Sequence, residues 1–406
     1  MSEWKKVKLG EVSDSCLGKM LDAVKNRGEY QPYLANLNVR WGCFDLDDLS
    51  TMRFEEHEED RYGIKYGDLI ICEGGEPGRC AIWKEQMPNM KIQKALHRVR
   101  GKKDIVDNFY LFYWFLFAGK RGYIDQYCTG ATIKHLPGQK LKEVVIDLPP
   151  LSTQHRIATI LSRYDSLIEN YQKQIKLLEE AAQRLYKEWF IDLRFPGHEN
   201  ANIVDGVPEG WEKKKVSELF SFVRGKSYTS KELSDEGTIM VNLKNIQAFG
   251  GYKSDAEKHF LGSFKEEQTL MKGDLVMGVT DMTQERRLVG SVALIPEFKG
   301  TATFSMDLIK LISYKLPNIY LYCAMRYGDV SRKIAPLANG VNVLHLKPEA
   351  INNIEMVVAS DSIIEKFVSY TSKTIDSILS LQPQLRLLTE ARDRLLPKLM
   401  SGEMEV

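Results

Sequence analysis

The chain is written twice. Trp4, Glu11 and Val12 recur as Trp211, Glu218 and Leu219, Asn38 and Val39 recur as Asn245 and Ile246, and the turn Gly67-Asp68-Leu69 recurs as Gly273-Asp274-Leu275. From residue 108 onward the copies lock at a separation of 210, as in Asn108/Asn318, Tyr110/Tyr320, Leu111/Leu321, Ile124/Ile334, Gly130/Gly340, His135/His345 and Leu136/Leu346. A chain of this kind must fold as two similar halves, a pseudo-dimer whose partner or substrate is expected to have two-fold character too.

Where the spacing drifts is as informative as where it holds. It is 207 near each Trp, 206 at the Gly-Asp-Leu turn, 212 at Gly78–Ile82 against Gly290–Leu294, and then 210. Insertions therefore fall between matching anchors. Shared scaffold with differing loops is the pattern of one fold adapted to two different targets.

Each copy has a mixed segment of about 150 residues followed by a long helix, with 406 residues allowing each half its own core. Short β-type runs at 68–72, 144–148, 274–279 and 291–295 sit between Gly- and Asp-bearing turns, which predicts α+β domains. In the helical part Ile157, Leu161, Tyr164, Ile168, Tyr171, Ile175, Leu178, Ala182, Leu185 and Trp189 follow the 4,3,4,3 spacing of a coiled-coil seam. The same phase returns 210 residues later as Phe367, Thr371, Thr374, Ile378, Leu381, Leu385, Leu388, Arg392, Leu395 and Leu399, with Thr371, Thr374 and Arg392 as polar departures. Two seams in register predict that the helices pair, antiparallel.

Pro149 and Pro150 mark the start of the first helix, with Ser152 or Thr153 expected as N-cap. Phe195-Pro196-Gly197 ends the exit, and 198–208 reads as a linker. Pro383 and Pro397 predict a kink near 383 and fraying after 396. A helix from 157 to 189 spans roughly 50 Å. Domains at the ends of such a rod would sit about one turn of B-DNA apart, or slightly more.

Composition excludes several function classes. Hydrophobic content of 43% and charged content of 27% are those of a globular protein, and a net charge of +1 argues against a free-standing, strongly basic nucleic-acid binder while leaving room for local basic faces. The most apolar run, 109–118, is about half the length that spans a bilayer and reads as a packed helix, as does 319–327. The N-terminus lacks a signal-peptide core, and the six cysteines, with no Cys-x-x-Cys pair, read as reduced, mostly buried thiols of a cytoplasmic protein.

No catalytic or metal-binding constellation stands out. Asp147-Leu148-Pro149-Pro150-Leu151 resembles the Asp-Pro-Pro-aromatic element of amino-methyltransferases, but Leu151 replaces the aromatic that would stack on a flipped base, and no glycine-rich cofactor loop follows a strand. The glycine-rich Gly74–Gly78 lacks the Lys-Ser/Thr of a phosphate loop and reads as a hairpin turn. His135 and His345, one per copy, read as structural hydrogen-bonders. Basic and aromatic residues do interleave in corresponding loops. Lys19, Lys25, Arg27, Tyr30, Tyr33 and Arg40 stand in the first copy, and Arg224, Lys226, Tyr228, Lys231 and Lys244 in the second, with Arg286 and Arg287 in its extra loop. Lys and Arg neutralise phosphates and Arg can read base edges, so these are the candidate DNA contacts, against the alternative of a solvated charged face.

In order, the mixed domain, Leu148–Gln154 (Leu-Pro-Pro-Leu-Ser-Thr-Gln), the heptad helix, Tyr186–Gly197, Asp205–Trp211, the second mixed domain and Leu396–Glu403 make the whole chain resemble the specificity (S) subunits of type I restriction-modification systems. The resemblance implies two pseudo-symmetric target recognition domains, 1–150 and 198–358 with its linker, each reading one half of a split double-stranded DNA target. It also implies two spacer helices, 151–197 and 359–406, forming an antiparallel coiled coil. A chain of that kind has no cofactor or catalysis of its own. It would recruit methyltransferase (M) subunits, two being expected, which use S-adenosylmethionine, and restriction/translocase (R) subunits, which use ATP. One departure is Val358–Ser362, which lacks the Pro-Pro-Leu turn and leaves the start of the second helix open. The rival readings are a divergent single-chain DNA methyltransferase and a coiled-coil adaptor that never touches DNA.

Overall fold

A computed structural model describes residues 4–22, 26–130, 132–254 and 257–406. The chain divides into two compact units, one of residues 1–166 with 390–406, the other of residues 167–389.

In the first unit a four-stranded antiparallel sheet runs in the order Ser13–Leu17, Leu96–Gly101, Leu69–Cys72, Cys80–Ile82. Leu69–Cys72 is buried at every position, which is why it reads as an unbroken apolar run rather than an alternating one. A second sheet orders Ser50–Phe54, Glu29–Leu34 and Lys91–Ile92, the last pairing parallel. Lys5–Lys8 pairs antiparallel with Val145–Leu148, immediately ahead of the first long helix. The aromatic run folds as the helix Asn108–Lys120, whose first turn is capped by the Asp107 carboxylate accepting from the Tyr110 amide at 2.9 Å. Tyr110 through Leu116 are all buried in it, so its apolarity serves the core. Among the described residues no helix is long and apolar enough to cross a membrane.

The second unit repeats this plan. Phe220–Arg224, Leu308–Ser313, Leu275–Gly278 and Val292–Leu294 reproduce the strand order of the first sheet. Lys258–Phe260, Thr238–Val241 and Ala302–Phe304 reproduce the second, again with a parallel last pair and with Leu233–Ser234 added at the edge. Glu212–Lys215 pairs with Glu355–Val358, and Asn318–Tyr327 matches the aromatic helix.

The long helices are Leu151–Tyr186, continued by a π-helical turn at Lys187–Ile191, and Asp361–Met400. None of the twenty seam positions is exposed. In the first unit Ile157 and Leu161 share a core with Leu399, and the Arg392 guanidinium donates to Asp165 at 3.0 Å. In the second, the Trp189 and Phe367 rings lie 5.9 Å apart and the Tyr171 hydroxyl meets Gln384 at 3.2 Å. Within each unit, rising numbers on one helix meet falling numbers on the other, so the segments run antiparallel. Two polar departures from the seam are also accounted for. Thr371 is buried and bonds back to the Phe367 carbonyl at 2.7 Å, and burial opposes the charge of Arg392 but Asp165 and Asp393 outweigh it and hold its pKa above the ordinary value.

Four expectations need correction. The first helix begins at Leu151, so neither Ser152 nor Thr153 is its N-cap; the Pro150 carbonyl instead accepts from the Thr153 and Gln154 amides at 2.9 and 3.0 Å. The second helix starts in the same register, the Ser360 carbonyl accepting from Ile363 and Ile364, both at 3.0 Å, so a serine does the work of the missing proline turn. The second helix is also continuous through Pro383, where Leu379 and Gln382 are buried, and does not fray after 396, because Leu396, Leu399 and Met400 are buried in the first unit's core and outweigh the one amide Pro397 lacks. Of the six cysteines, Cys72, Cys80 and Cys323 are buried, Cys16 and Cys128 are partly so and Cys43 is exposed.

Candidate nucleic-acid interface

The same side chains hold the same turns in both units. Asn108 donates to the Gly67 carbonyl at 2.7 Å and Asn318 to that of Gly273 at 3.0 Å, tying each aromatic helix to its Gly-Asp-Leu turn. Asn38 accepts from the Ala35 amide at 2.9 Å and donates to the Asp45 carbonyl at 3.1 Å. Asn245 makes the equivalent pair with Asn242 and Lys253, both at 2.9 Å. Gly78 and Gly290 both have positive φ, and a Cβ on either would press on the matched isoleucine, Ile124 at 3.0 Å or Ile334 at 2.9 Å. That fixes glycine at both positions. Gly74–Gly78 lies in the turn joining Leu69–Cys72 to its antiparallel partner Cys80–Ile82, the hairpin its composition predicts.

His135 and His345 close matching hairpins through paired backbone bonds, with Thr129 at 2.8 Å each way and with Asn339 at 3.0 and 2.9 Å. The two histidines thus hold equivalent backbone places in a repeated scaffold. Among the described residues no group of three or more His, Cys, Asp or Glu could hold a metal ion.

The candidate DNA contacts separate by environment. Lys19 is a correction. Its side chain is 4% exposed, ion-paired with Glu58 at 2.5 Å and donating to the Arg53 carbonyl at 2.9 Å, so it is an internal strut and not a phosphate contact. The bond from Lys19 and a second one from the Glu55 amide hold the Glu58 carboxyl below its usual pKa, against the opposing effect of burial. Lys25 lies outside the described residues. Arg27 and Lys231 are exposed, as is Lys244 beside the Asn245 turn. Lys226 is half-buried on a strand-like bridge to Ser305. Arg40 and Arg224 are exposed with carboxylate partners, Asp45 at 3.2 Å and Glu349 at 2.6 Å. Arg286 and Arg287 sit in the extra loop of the second unit, Arg287 exposed beside Glu285. Tyr30 is exposed under the Arg53 guanidinium at 4.8 Å, Tyr33 is buried, and Tyr228 bonds Lys258 at 3.2 Å.

Several residues that organise this framework gave no signal by residue type. Asp165 accepts from both Arg392 and the Tyr113 hydroxyl, the latter at 2.6 Å. The buried Gln154 donates to the Pro149 carbonyl at 2.8 Å and accepts from the Asp107 amide at 2.9 Å, joining the Pro-Pro turn to the aromatic helix. Glu179 pairs with Arg326 at 2.9 Å within the second unit. A signal for Asp165 lay in its position beside the seam and opposite the duplicated seam's one arginine; Glu179 and Gln154 had none beyond their motifs.

Residues 1–180 match the family described as the type I restriction modification DNA specificity domain. The chain is 29% identical over 348 residues to the type I restriction enzyme MjaIX specificity subunit of Methanocaldococcus jannaschii, covering 84% of this chain and 78% of that one. It is 20% identical to the type I restriction enzyme HindI specificity subunit of Haemophilus influenzae over the full length of both. Among solved structures, the type I restriction-modification S subunit from M. genitalium superposes with a TM-score of 0.63 at 18% identity, over 98% of this chain and 96% of that one, which shows a shared fold.

Proposed function

We propose that the chain is a specificity subunit of a type I restriction-modification system, and that its two mixed domains, 1–150 and 198–358, each read one half of a split double-stranded DNA target. Proteins of this family are the DNA-recognition components of their complexes, and the chemistry belongs to the methylation and restriction subunits they assemble with. The long helices then act as one antiparallel coiled coil whose length sets the spacing between half-sites. Two methyltransferase subunits dock, one per copy, because the chain presents each surface twice.

The single observation that carries this reading is the repeated scaffold with unlike loops. The asparagine anchors, glycine positions and strand order recur, whereas the loops between them differ in length and in side chains. Arg27, Arg40, Arg224, Lys226, Lys231, Lys244, Arg286 and Arg287 are the proposed contacts, most of them to phosphates.

The test is co-expression with the methyltransferase subunit and mapping of methylated sites by sequencing. A split target, absent when this chain is omitted, is the expected result. A complex that assembles but retains no duplex DNA would mean that the chain is an adaptor. Binding of labelled S-adenosylmethionine by the chain alone would revive the single-chain methyltransferase.

A further inference from the structure

The six residues by which the second copy exceeds the first between the Gly-Asp-Leu turn and the Gly78/Gly290 anchor fall in one loop, between Thr280–Asp281 and Gly290. Asp281, 1% exposed, closes that loop from within. One carboxylate oxygen accepts from the Thr283 amide and hydroxyl at 2.8 and 2.9 Å, the other from the Leu288 amide at 2.7 Å. The loop is therefore a held shape and not a slack insertion.

Two other loops are tied to it. The Gln284 side-chain amide donates one hydrogen to the Val341 carbonyl at 2.7 Å, engaging the hairpin closed by His345 and leaving its other hydrogen and its carbonyl oxygen to face outward. The Phe249 amide donates to the Arg287 carbonyl at 2.9 Å, engaging the turn after the Asn245 anchor. Phe249 itself has φ 64, a costly conformation for an aromatic residue, yet the residue is 68% exposed. Met282 and Val341 are exposed to 75% and 89%. Apolar tips held outward by a hydrogen-bonded frame do nothing for the core.

The first unit builds the same junction with other side chains. There the Trp41 indole donates to Glu76 at 2.7 Å, and Gly74 abuts His135 of the matching hairpin. The junction is common to both copies while its tips are not shared, which is what two modules reading different half-sites require.

We propose that this three-loop junction is the base-reading element of the second unit, with Gln284 and Arg287 reading base edges in the major groove and Met282 and Val341 meeting apolar base surface. A glutamine suits adenine and an arginine guanine, while apolar tips suit the thymine methyl. The inference rests on the DNA-reading role proposed above and adds to it the residues that select sequence.

The experiment uses the full chain assembled with its methyltransferase partner, with methylated sites mapped by sequencing for Gln284→Ala, Arg287→Ala and a deletion of residues 282–287 that restores the length of the first copy. Discrimination at one or more positions of a single half of the target should fall roughly tenfold or more, the other half staying unchanged. A parallel arm replaces residues 198–358 by the equivalent domain of a relative. If that replacement changes one half-site but both point variants keep the original target at full stringency, the junction does not read bases and the proposal fails alone. If the replacement leaves the target unaltered, the DNA-reading role fails and the inference with it. Loss of partner binding by folded point variants would make the junction a docking surface and overturn the proposal.

Discussion

Lys19 and Lys226 hold one backbone position in two environments. Each lies on a parallel bridge, the Lys19 backbone amide donating to the Ile92 carbonyl at 3.0 Å and that of Lys226 to the Phe304 carbonyl at 2.8 Å, but among the described residues only the Lys19 side chain is ion-paired with a carboxylate. Lys19→Met should therefore destabilise the first unit by about 1–3 kcal/mol, since the partly buried Glu58 loses its partner, while leaving the salt dependence of DNA binding unchanged. Denaturant unfolding and a salt titration of the assembled complex separate the two effects. Arg27→Ala with Lys231→Ala should behave oppositely, normal in stability but with the log–log salt slope reduced by up to about two units. A second residue-scale effect concerns pH. His97 is buried with a ring nitrogen 2.9 Å from the Leu136 carbonyl, and burial holds its pKa below the usual 6.5. Above 6.5 it is neutral folded or unfolded and costs nothing. As pH falls below 6.5 the unfolded chain takes up the proton first, so stability declines until the folded pKa is passed. Between pH 7.5 and 5.5 the wild type should lose more thermal stability than His97→Gln; equal losses would place the acid sensitivity elsewhere.

At the scale of elements, the helices were the most legible part of the sequence and the loops the least. A heptad seam is a periodic signal that survives without knowledge of the partner, and ten phases repeated at 210 predicted both helices and their pairing. The prolines carry local breaking power that burial overrides, that of Leu379 and Gln382 beside Pro383 and that of Leu396, Leu399 and Met400 around Pro397. The basic candidates were the weakest reading, since a lysine beside aromatic residues looks the same in sequence whether it faces solvent or, like Lys19, a carboxylate 39 residues away. The paired helices also give a direct expectation. Phe367 is fully buried against Trp189 and Phe190, so Phe367→Ala should cost about 3–5 kcal/mol, readable as a lower unfolding midpoint, whereas Tyr370→Ala, at a 65% exposed position, should cost far less. Removing one heptad from each helix, 168–174 and 378–384, keeps the seam in phase and shortens it by roughly 10 Å. A variant that still binds its partner should prefer a target spacer shorter by about 3 base pairs. Retention of the original spacer would reduce the helices to a docking surface.

For the whole molecule, duplication would let one chain serve the proposed target with two unlike halves. Anchors such as Asn108/Asn318 and Gly78/Gly290 keep the two scaffolds superposable in plan, and the loops they carry are free to differ. The central claim is that each copy reads its own half-site independently. Exchanging residues 1–150 for the matching domain of a relative, assembling the chimera with the same methyltransferase partner and sequencing its methylated sites tests this most directly. One half of the recognised sequence should change while the other half and the spacer stay as they were; a change in both halves would contradict it.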